Sequence, residues 1–380
     1  MRRAGIAEHQ GVVMRIVVVG AGLVGLTTAA VFQRAGHEVV VVERAPEIRA
    51  VGAGIGLWQN ALQVFDHLGI GGEIRSMSHE VDTWFYTPAG EAKRAPGTAA
   101  QDYRFLLVPR PELNAMLAGL VGDDWIRTDD AFERFGEHDG GVTVSLSSGA
   151  TIEAALLIGA DGVYSRVRTQ LLPGTQAERH GSHTAWRAIV PSRLDERRGG
   201  TSLTIGTDGT RGGYTRLDDH RTMWMVNQFD TGELVGGKRD RALARARHLA
   251  SPEWQPELLE MIADTPDEAI LENPIMLVPP LGTWSSRHVT LIGDAAHGLS
   301  PHLSAGGTLG IEDVIVLHAA LAETPFHLAS ALHAYESARI PRFAAVRDFA
   351  SDIEHASTAE AFAAAYARFS HWMVTTAPVI

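Results

Sequence analysis

The hydrophobic pattern near the N-terminus predicts a strand, a helix and a second strand. Residues 15–19 form a short run of mostly β-branched apolar residues, which is typical of a strand buried on both faces. Residues 23–34 carry apolar side chains at helical spacing and are followed by Gly36, a common residue just beyond the end of a helix. Residues 37–42 end in a run of valines. Residues 15–44 therefore predict a βαβ half-unit that opens a parallel sheet.

Later patterns divide the chain into three predicted parts. Strands are predicted at residues 141–146, 155–159 and 288–292, and helices at residues 111–120 and 308–321. From residue 174 to 279 the chain has stretches of alternating apolar and polar residues, joined by turns that contain Gly and Asp. This pattern predicts an inserted antiparallel sheet. We assign a discontinuous nucleotide-binding domain to residues 14–75, 100–173 and 279–323, a sheet domain to residues 76–99 and 174–278, and packing helices to residues 324–380.

Composition and charge narrow the functional classes. The 380 residues include 33 Lys and Arg against 45 Asp and Glu, a net charge of −12. This sign disfavours nucleic acid and anionic membranes as partners. The chain has no cysteine, so disulfides, thiolate metal sites and Cys nucleophiles are excluded, and we expect a cytoplasmic protein. The apolar run at residues 16–32 contains glycines at a regular spacing, which argues against an export signal or a membrane span. Residues 1–13 are expected to be a disordered extension.

A glycine-rich turn follows the first predicted strand. Gly20, Gly22 and Gly25 form a G-x-G-x-x-G pattern, with Leu23 and Val24 between the last two glycines. The first glycine allows a tight turn, the second a close approach of a pyrophosphate, and the third close packing of strand and helix. Glu43 ends the second predicted strand, where a carboxylate can accept a hydrogen bond from a ribose hydroxyl. The unit predicts a dinucleotide site but does not separate FAD from NAD.

Two further acidic strand ends favour a flavin. Asp161 and Gly162 follow the strand predicted at residues 155–159, and Asp294 follows the one at residues 288–292. Open α/β sheets bind ligands at the carboxyl ends of their strands, so one sheet offers three acidic strand ends to one ligand. After Asp294 comes a loop of small residues that opens the next predicted helix: Pro301, Ser304, Ala305, Gly306, Gly307 and Thr308. Its backbone amides suit the carbonyl edge of an isoalloxazine ring.

Together these motifs resemble the class A flavoprotein monooxygenases of the para-hydroxybenzoate hydroxylase fold. The resemblance implies an α/β fold: a Rossmann-like FAD-binding domain, an inserted antiparallel-sheet substrate domain and C-terminal helices. It implies that the glycine turn, Glu43 and Arg44 hold the adenosine end of FAD, that Asp161 lies near the pyrophosphate and the NAD(P)H site, and that Asp294 contacts the ribityl chain. Arg110 is expected at the flavin nucleotide and residues 304–308 at the ring. Gly56, Phe132 and Pro301 complete the predicted cofactor site.

The implied activity is NAD(P)H-dependent hydroxylation of a small aromatic or heteroaromatic compound with dioxygen, through a flavin hydroperoxide. The loop has Ser304 where the family usually has glycine. Other motifs are similar to salicylate hydroxylase, 6-hydroxynicotinate 3-monooxygenase and urate hydroxylase, so the sequence does not decide among their substrates. Alternatives are a flavin-dependent epoxidase or halogenase, a nicotinamide-dependent dehydrogenase, or a flavin-binding protein without turnover. A monomer or a homodimer is expected.

Three residues are predicted to line the substrate pocket. Arg211 lies at a position that resembles the substrate-anchoring arginine of urate hydroxylase, and its donors suit a carboxylate or a heterocyclic oxyanion. Tyr214 begins a predicted strand and could orient a ring hydroxyl. His302, beside the flavin loop, could act as a base toward a phenol. A metal site is not expected, because the spacing of Asp294, His297 and His302 lacks the helical i, i+4 pattern of a zinc site.

Overall fold

The structure is a computed structural model that describes residues 12–48, 53–77, 83–93, 105–192, 201–230 and 232–378. Most of the predicted N-terminal extension, residues 1–11, lies outside these ranges. The first part of the described chain forms β1 (Arg15–Val19), α1 (Leu23–Arg34), β2 (Glu38–Val42), β3 (Gly54–Trp58), α2 (Gln59–Leu68), α3 (Gly71–Ser76), β4 (Thr83–Tyr86), β5 (Ala92–Lys93), β6 (Phe105–Pro109), α4 (Arg110–Val121), β7 (Ile126–Arg127), β8 (Phe132–His138), β9 (Gly141–Leu146), β10 (Thr151–Ala154), β11 (Leu156–Gly159) and α5 (Arg166–Leu171).

The second part supplies the remaining strands of the larger sheet and the C-terminal helices. It forms β12 (Glu178–Pro191), β13 (Thr201–Ile205), β14 (Arg211–Arg216), β15 (Arg221–Gln228), α6 (Lys238–Ala246), α7 (Pro256–Asp264), β16 (Leu271–Leu277), β17 (Val289–Leu291), α8 (Asp294–His297), α9 (Gly306–Glu323), α10 (Leu328–Glu354) and α11 (Ala359–Thr375).

A five-stranded parallel sheet forms the centre of the nucleotide-binding part. Its strand order is β17-β11-β1-β2-β7, and Val17 of β1 lies between Leu157 of β11 and Val40 of β2. These strands are apolar on both faces because helices cover the sheet. Parallel strands end at the same edge, so the turns after β1, β11 and β17 lie side by side. The three predicted acidic and glycine-rich strand ends therefore face one region.

A seven-stranded sheet covers the region in front of these strand ends. Its order is β16-β12-β15-β14-β13-β4-β5, and its pairs are antiparallel except β4 with β13, which run parallel. One face packs against α6 and α7 through a core that contains Trp186, Tyr214 and Trp224. The opposite face is directed at the loop before α9. The predicted fold class, a Rossmann-like domain with an inserted sheet and C-terminal helices, is confirmed.

The two C-terminal helices close the molecule. Helix α10 packs along α9, and α11 packs against α10 and β4. Phe362 and Tyr366 of α11 contact Phe85 of β4, with ring centroids 4.9 and 5.3 Å apart. In the part of the chain that the structure describes, no helix is both long and apolar enough to cross a membrane.

Candidate active site

The first cavity lies at the turns after β1 and β2. It has a volume of about 420 Å³, and its lining includes Gly22, Glu43, Arg44, Arg110 and Asn114. The Glu43 carboxylate accepts hydrogen bonds from the backbone amides of Ala21 at 2.8 Å and Ala45 at 2.9 Å. These bonds fix the carboxylate at the mouth of the glycine turn while each oxygen keeps a second lone pair. The position fits a carboxylate that accepts from a ribose hydroxyl.

The three glycines of the turn have different structural roles. Gly20 has a φ of +106°, and a Cβ there would lie 2.5 Å from the carbonyl oxygen of Ala160. A Cβ on Gly25 would lie 1.9 Å from the carbonyl oxygen of Gly20. A Cβ on Gly22 meets no protein atom within 4 Å, although Gly22 lines the cavity. Only the space at Gly22 is thus left for a ligand, at the N-terminus of α1, where anions are favoured.

Leu23 and Val24 were predicted as cofactor-binding residues, and their side chains point into the protein interior. Leu23 is buried and lies against the position of Gly307, while Val24 packs against Gly293 and Gly310. The two side chains therefore hold α1 against α9 and the turn after β17. Leu23 and Val24 could therefore contact a cofactor only through their backbone atoms.

The second cavity lies between the loop at residues 301–307, here called the flavin loop after its predicted role, and the seven-stranded sheet, and it has a volume of about 360 Å³. Arg110 lines both cavities, so they adjoin. The predicted cofactor residues that line it are Gly56, Arg110, Asp294, Pro301, Ser304, Ala305, Gly306 and Gly307. The substrate residues Arg211 and His302 line it as well. The structure therefore brings two distant groups of predicted residues to one cavity.

The loop before α9 is held from behind by Trp58. The indole Nε1 of Trp58 donates to the carbonyl oxygen of Ser304 at 3.2 Å, and the Trp58 backbone amide donates to Thr308 Oγ1 at 3.1 Å. Thr308 is buried and supports the loop rather than lining the cavity. Ser304 has a φ of +50°, a conformation that glycine adopts at lower cost. Ser304 thus holds the left-handed turn of the loop although it carries a side chain.

Asp294 and Asp161 have different surroundings at their strand ends. Asp294 is exposed, and a Cβ on Gly306 would lie 3.6 Å from its Oδ1, so the carboxylate faces the loop across the cavity. Asp161 instead accepts hydrogen bonds from Ser165 Oγ at 2.5 Å and from the Arg166 amide at 2.7 Å. Burial raises the pKa of the Asp161 carboxyl, although these hydrogen bonds oppose the rise. Asp161 therefore caps α5, and Asp294 is free to face a ligand.

Arg168 connects the two acidic strand ends. Its side chain is buried and donates to the carbonyl oxygens of Val163 at 2.6 Å and Ala295 at 2.8 Å. The first oxygen belongs to the turn after β11, and the second belongs to α8. Arg168 thus fixes the distance between the two turns without touching either carboxylate.

A buried charged cluster lies beneath the loop. Asp313 and Glu312 of α9 form ion pairs with Arg339 of α10 at 2.6 and 2.8 Å, and Glu312 also pairs with Arg342 at 2.6 Å. His297 Nε2 lies 2.5 Å from Asp313. No role was predicted for these residues from the sequence. Their only sequence signal was two adjacent acids within an otherwise apolar helix pattern.

Two predicted site residues lie elsewhere. Phe132 is buried at the start of β8 and packs against Phe135 in the main core, and it lines neither of the two cavities. Tyr214 lies on the face of the seven-stranded sheet that packs against α6 and α7. The strand begins at Arg211, and successive side chains point to opposite faces, so a residue three positions later lies on the other side. The structure thus places neither side chain at the two cavities, and a direct role for Phe132 or Tyr214 stays a prediction.

Arg211 is the charged group at the substrate end of the second cavity. It is 2% exposed, and its Nη2 donates to the carbonyl oxygens of Glu354 at 2.8 Å and Ala356 at 3.1 Å. The Glu354 oxygen belongs to the last residue of α10 and the Ala356 oxygen lies just beyond the helix, at an end where the helix dipole favours a cation. Among the described residues, Nε and Nη1 of Arg211 have no hydrogen-bond partner. Burial lowers the pKa of Arg211 to about 10, and the nearby Glu354 opposes this, so the group is a cation at neutral pH.

Apolar side chains form the rest of this end. Met223 and Met225 of β15 and Phe362 of α11 line the cavity. The Phe362 ring lies 4.8 Å from Arg211 Cζ, which is cation–π distance. Residues 324–380 were predicted only as packing helices, so no contact of Phe362 with the cavity was expected. No local pattern marks it, because its role depends on how α11 packs against the sheet.

The arrangement fits FAD. The cavity at Gly22 and Glu43 suits an adenosine diphosphate moiety, the cavity at the Ser304–Gly307 loop suits a flat ring, and Asp294 faces the space beside that loop. Gly306 and Gly22 provide the close backbone approach that pyrophosphate and ring require. The second cavity leaves room beyond the loop for a small planar compound against Arg211 and Phe362.

Comparison with known proteins agrees with this assignment. The family model for the FAD binding domain matches residues 13–350. The chain is 30% identical over 335 residues to aurachin C monooxygenase/isomerase of Stigmatella aurantiaca, covering 87% of this chain and 86% of that protein. It is 29% identical over 369 residues to 6-hydroxynicotinate 3-monooxygenase of Bordetella bronchiseptica, covering 89% and 91% of the two chains.

A solved structure extends the comparison to the fold. Klebsiella pneumoniae HpxO complexed with FAD and uric acid has a TM-score of 0.77 and 26% sequence identity, covering 94% of this chain and 92% of that chain. The chain therefore belongs to the FAD binding domain family and is an FAD-dependent class A flavin monooxygenase.

Proposed function

We propose that the protein hydroxylates a small planar aromatic or N-heteroaromatic compound that Arg211 holds through an anionic or carbonyl oxygen. NAD(P)H is the electron donor and dioxygen the oxidant. Support comes from Arg211, which is buried at the end of the cavity that the flavin loop lines. Its Nε and Nη1 have no hydrogen-bond partner among the described residues. Relatives named for 6-hydroxynicotinate and urate hydroxylation act on compounds of this size and polarity.

Cofactor contacts follow from the two cavities. Glu43 and Arg44 would bind the adenosine end, Gly22 and Arg110 the pyrophosphate, and Asp294 the ribityl chain. The Ser304–Gly307 loop would present its amides to the ring. Asp161 would act through α5, which it caps beside the pyrophosphate. When bound, FAD supplies the transfer of electrons from NAD(P)H and the activation of dioxygen.

The chain's own side chains then have two tasks at the substrate. Arg211 orients the ring by a charge-assisted hydrogen bond and stabilises negative charge on its oxygen. Met223, Met225 and Phe362 exclude water, which protects a reactive site from unproductive decay. The absence of cysteine from the sequence supports a cytoplasmic enzyme.

The test is NAD(P)H oxidation by the FAD-loaded protein with a panel of hydroxylated pyridines, purines and benzoates, with ¹⁸O₂ and mass analysis of the product. We expect at least one compound to accelerate oxidation and to gain one ¹⁸O atom. Arg211→Gln should weaken binding of that compound by about 10- to 150-fold, because a charged hydrogen bond is worth about 1.5–3 kcal/mol.

Arg216→Gln is the matched control. Arg216 lies on the same strand but on the other face, pairs with Asp219, and lines neither cavity. It should leave substrate binding unchanged. If no compound gains ¹⁸O while the protein binds FAD normally, the proposed activity is wrong and a flavin-binding role without turnover is favoured.

A further inference from the structure

We propose that His302 contacts the substrate as a hydrogen-bonding group, and that His183 is the residue that positions its ring. The inference rests on the proposed function, because His302 lines the same cavity. It also narrows the substrate class.

The His302 ring is fixed by two neighbouring rings. It stacks on His183 with centroids 4.8 Å apart and planes 8° apart, and on Phe229 with centroids 4.8 Å apart. His183 and Phe229 are themselves 4.1 Å apart. His183 is 1% exposed, so the stack belongs to the packed interior behind the cavity wall. A ring held on one face in this way presents the same edge to any ligand.

Hydrogen bonding within the stack is incomplete. Among the described residues, His302 Nε2 and both ring nitrogens of His183 are buried without a hydrogen-bond partner. Leaving such atoms unpaired costs free energy. Because His302 lines the cavity, a bound molecule or water there can satisfy its nitrogen. The site thus offers an unused polar contact next to Arg211.

The surrounding charges oppose protonation of His302. Arg211 of β14 and the histidines His180 and His183 of β12 face it. Burial, and to a smaller extent the charges of these groups, lowers the pKa of His302 well below its usual value. Burial likewise lowers the pKa of His183 to about 3. The nearby carboxylate, Glu354 at the end of α10, accepts from His180 Nε2 at 3.1 Å instead. Asp294 lies on the flavin side of the cavity.

A neutral imidazole beside a guanidinium defines the edge of the substrate it can bind. Arg211 provides only donors, and neutral His302 provides one donor or one acceptor. A substrate satisfies both residues if an oxygen substituent of its ring faces Arg211 and the neighbouring ring nitrogen faces His302. The arrangement favours hydroxy- or oxo-substituted N-heteroaromatics, whose ring nitrogen can pair with His302, over carbocyclic phenols, which lack that nitrogen.

Three variants separate these roles. His302→Gln keeps a hydrogen-bonding group but cannot take up a proton, His302→Phe keeps the ring without a polar atom, and His183→Phe keeps the stack without nitrogens. The probes are 6-hydroxynicotinate and its carbocyclic counterpart, 4-hydroxybenzoate, titrated into FAD-loaded protein while the flavin absorbance is followed. Dissociation constants come from the titrations, and kcat is measured for the probe that is turned over.

We expect wild-type protein to bind 6-hydroxynicotinate more tightly than 4-hydroxybenzoate. His302→Gln should keep that affinity within about threefold, and His302→Phe should lose about tenfold, the worth of one hydrogen bond. Equal loss of affinity and kcat in both variants would overturn the uncharged role. If 4-hydroxybenzoate binds more tightly, or neither probe binds, the substrate class is wrong, while ¹⁸O incorporation into another compound would still support the proposed function.

The protonation state is tested without a substrate. Histidine ¹⁵N signals that are absent in His302→Gln identify the ring, and its state is followed from pH 5.5 to 8.5. We expect a neutral ring with one tautomer throughout, and a mixture of tautomers in His183→Phe. Titration of His302 between pH 5.5 and 7.5 would overturn the uncharged role. An unchanged tautomer and unchanged probe affinity in His183→Phe would remove His183 as a positioning residue.

Discussion

The Asp313 carboxylate accepts a hydrogen bond at 2.8 Å from the backbone amide of Gly293, the residue directly before Asp294. It also bonds His297 Nε2 at 2.5 Å and Arg339 Nε at 2.6 Å. One fully buried side chain of α9 thus joins the turn after β17, α8 and α10. The position of Asp294 relative to the flavin loop depends on this carboxylate, because the loop opens the same helix.

Asp313→Asn should destabilise the protein strongly. Removing one partner of a buried ion pair leaves an uncompensated charge and costs about 3–5 kcal/mol. The measurement is the free energy of unfolding in urea at pH 7. Asp66→Asn is the control, since Asp66 pairs with Arg75 at the surface, and exposed pairs contribute about 0–1 kcal/mol. Equal effects of the two substitutions would contradict the role of Asp313.

The pH dependence of this variant gives an independent reading of the same site. Burial alone would raise the pKa of Asp313, but His297, Arg339 and the hydrogen bonds outweigh it and hold the pKa below the ordinary value of 3.8. A lowered folded-state pKa contributes stability above the unfolded value that is lost as the pH falls through the folded value. Wild type should therefore lose more stability than Asp313→Asn between pH 5 and 3.

Gly22→Ala and Gly25→Ala should fail in different ways. A Cβ at Gly22 meets no protein atom but enters the first cavity. The free energy of unfolding of the apo protein should therefore stay within about 1 kcal/mol of wild type. The affinity for FAD should fall roughly tenfold or more, the worth of a charge-assisted hydrogen bond. A Cβ at Gly25 collides with the Gly20 carbonyl, which should cost about 1–3 kcal/mol or more through overpacking. Thermal unfolding of apo protein and FAD titration separate the two. Normal FAD binding by Gly22→Ala would show that the pyrophosphate lies elsewhere.

Local sequence patterns were sufficient for the elements that carry the cofactor. The strand at Arg15–Val19 and the helix at Leu23–Arg34 have the predicted bounds, because a buried run, a glycine turn and helical periodicity each follow from neighbouring residues. The strand ends at Asp161 and Asp294 could be assigned to one edge since parallel strands end together. These features need no knowledge of long-range packing.

The rest depends on contacts between distant parts of the chain. The face of Tyr214 is decided by where β14 begins, and a shift of one residue in a strand moves every side chain to the other side. Phe362 reaches the cavity only because α11 packs beside the seven-stranded sheet. His183 of β12 reaches the ring of His302 behind the cavity wall only because two distant parts of the chain pack together. The Asp313 cluster joins residues from three elements, so no single stretch of sequence reports it.

Asp294→Ala should bind FAD about 10- to 150-fold more weakly, the equivalent of about 1.5–3 kcal/mol for a charge-assisted hydrogen bond to the ribityl chain. The protein should remain folded, because Asp294 is exposed to the cavity. Asp294→Asn keeps an acceptor oxygen and should lose less. Flavin fluorescence titration gives both affinities. Wild-type affinity in the alanine variant would place the ribityl chain away from this carboxylate.

Phe362→Leu should uncouple NAD(P)H oxidation from product formation. The substitution removes the ring that lies against Arg211 and opens the cavity wall to water, and the lost cation–π contact of about 0.5–1 kcal/mol corresponds to roughly two- to fivefold in substrate affinity. Hydrogen peroxide released per NAD(P)H consumed measures the effect. Phe369→Leu is the control, because Phe369 is equally buried in α11 but lines neither cavity. Similar peroxide release from both variants would assign the effect to helix packing.

Arg211 should set an upper pH limit for substrate binding. Its pKa is lowered to about 10 by burial, so the guanidinium stays charged to about pH 9 and loses its proton above pH 10, where an anionic substrate loses its partner. Affinity should be constant from pH 7 to 9 and fall about tenfold per pH unit above pH 10. In Arg211→Lys the decline should begin at a lower pH, because burial lowers the pKa of a lysine readily. Substrate titrations across this range measure the decline, and an unchanged onset in Arg211→Lys would mean that another group controls it.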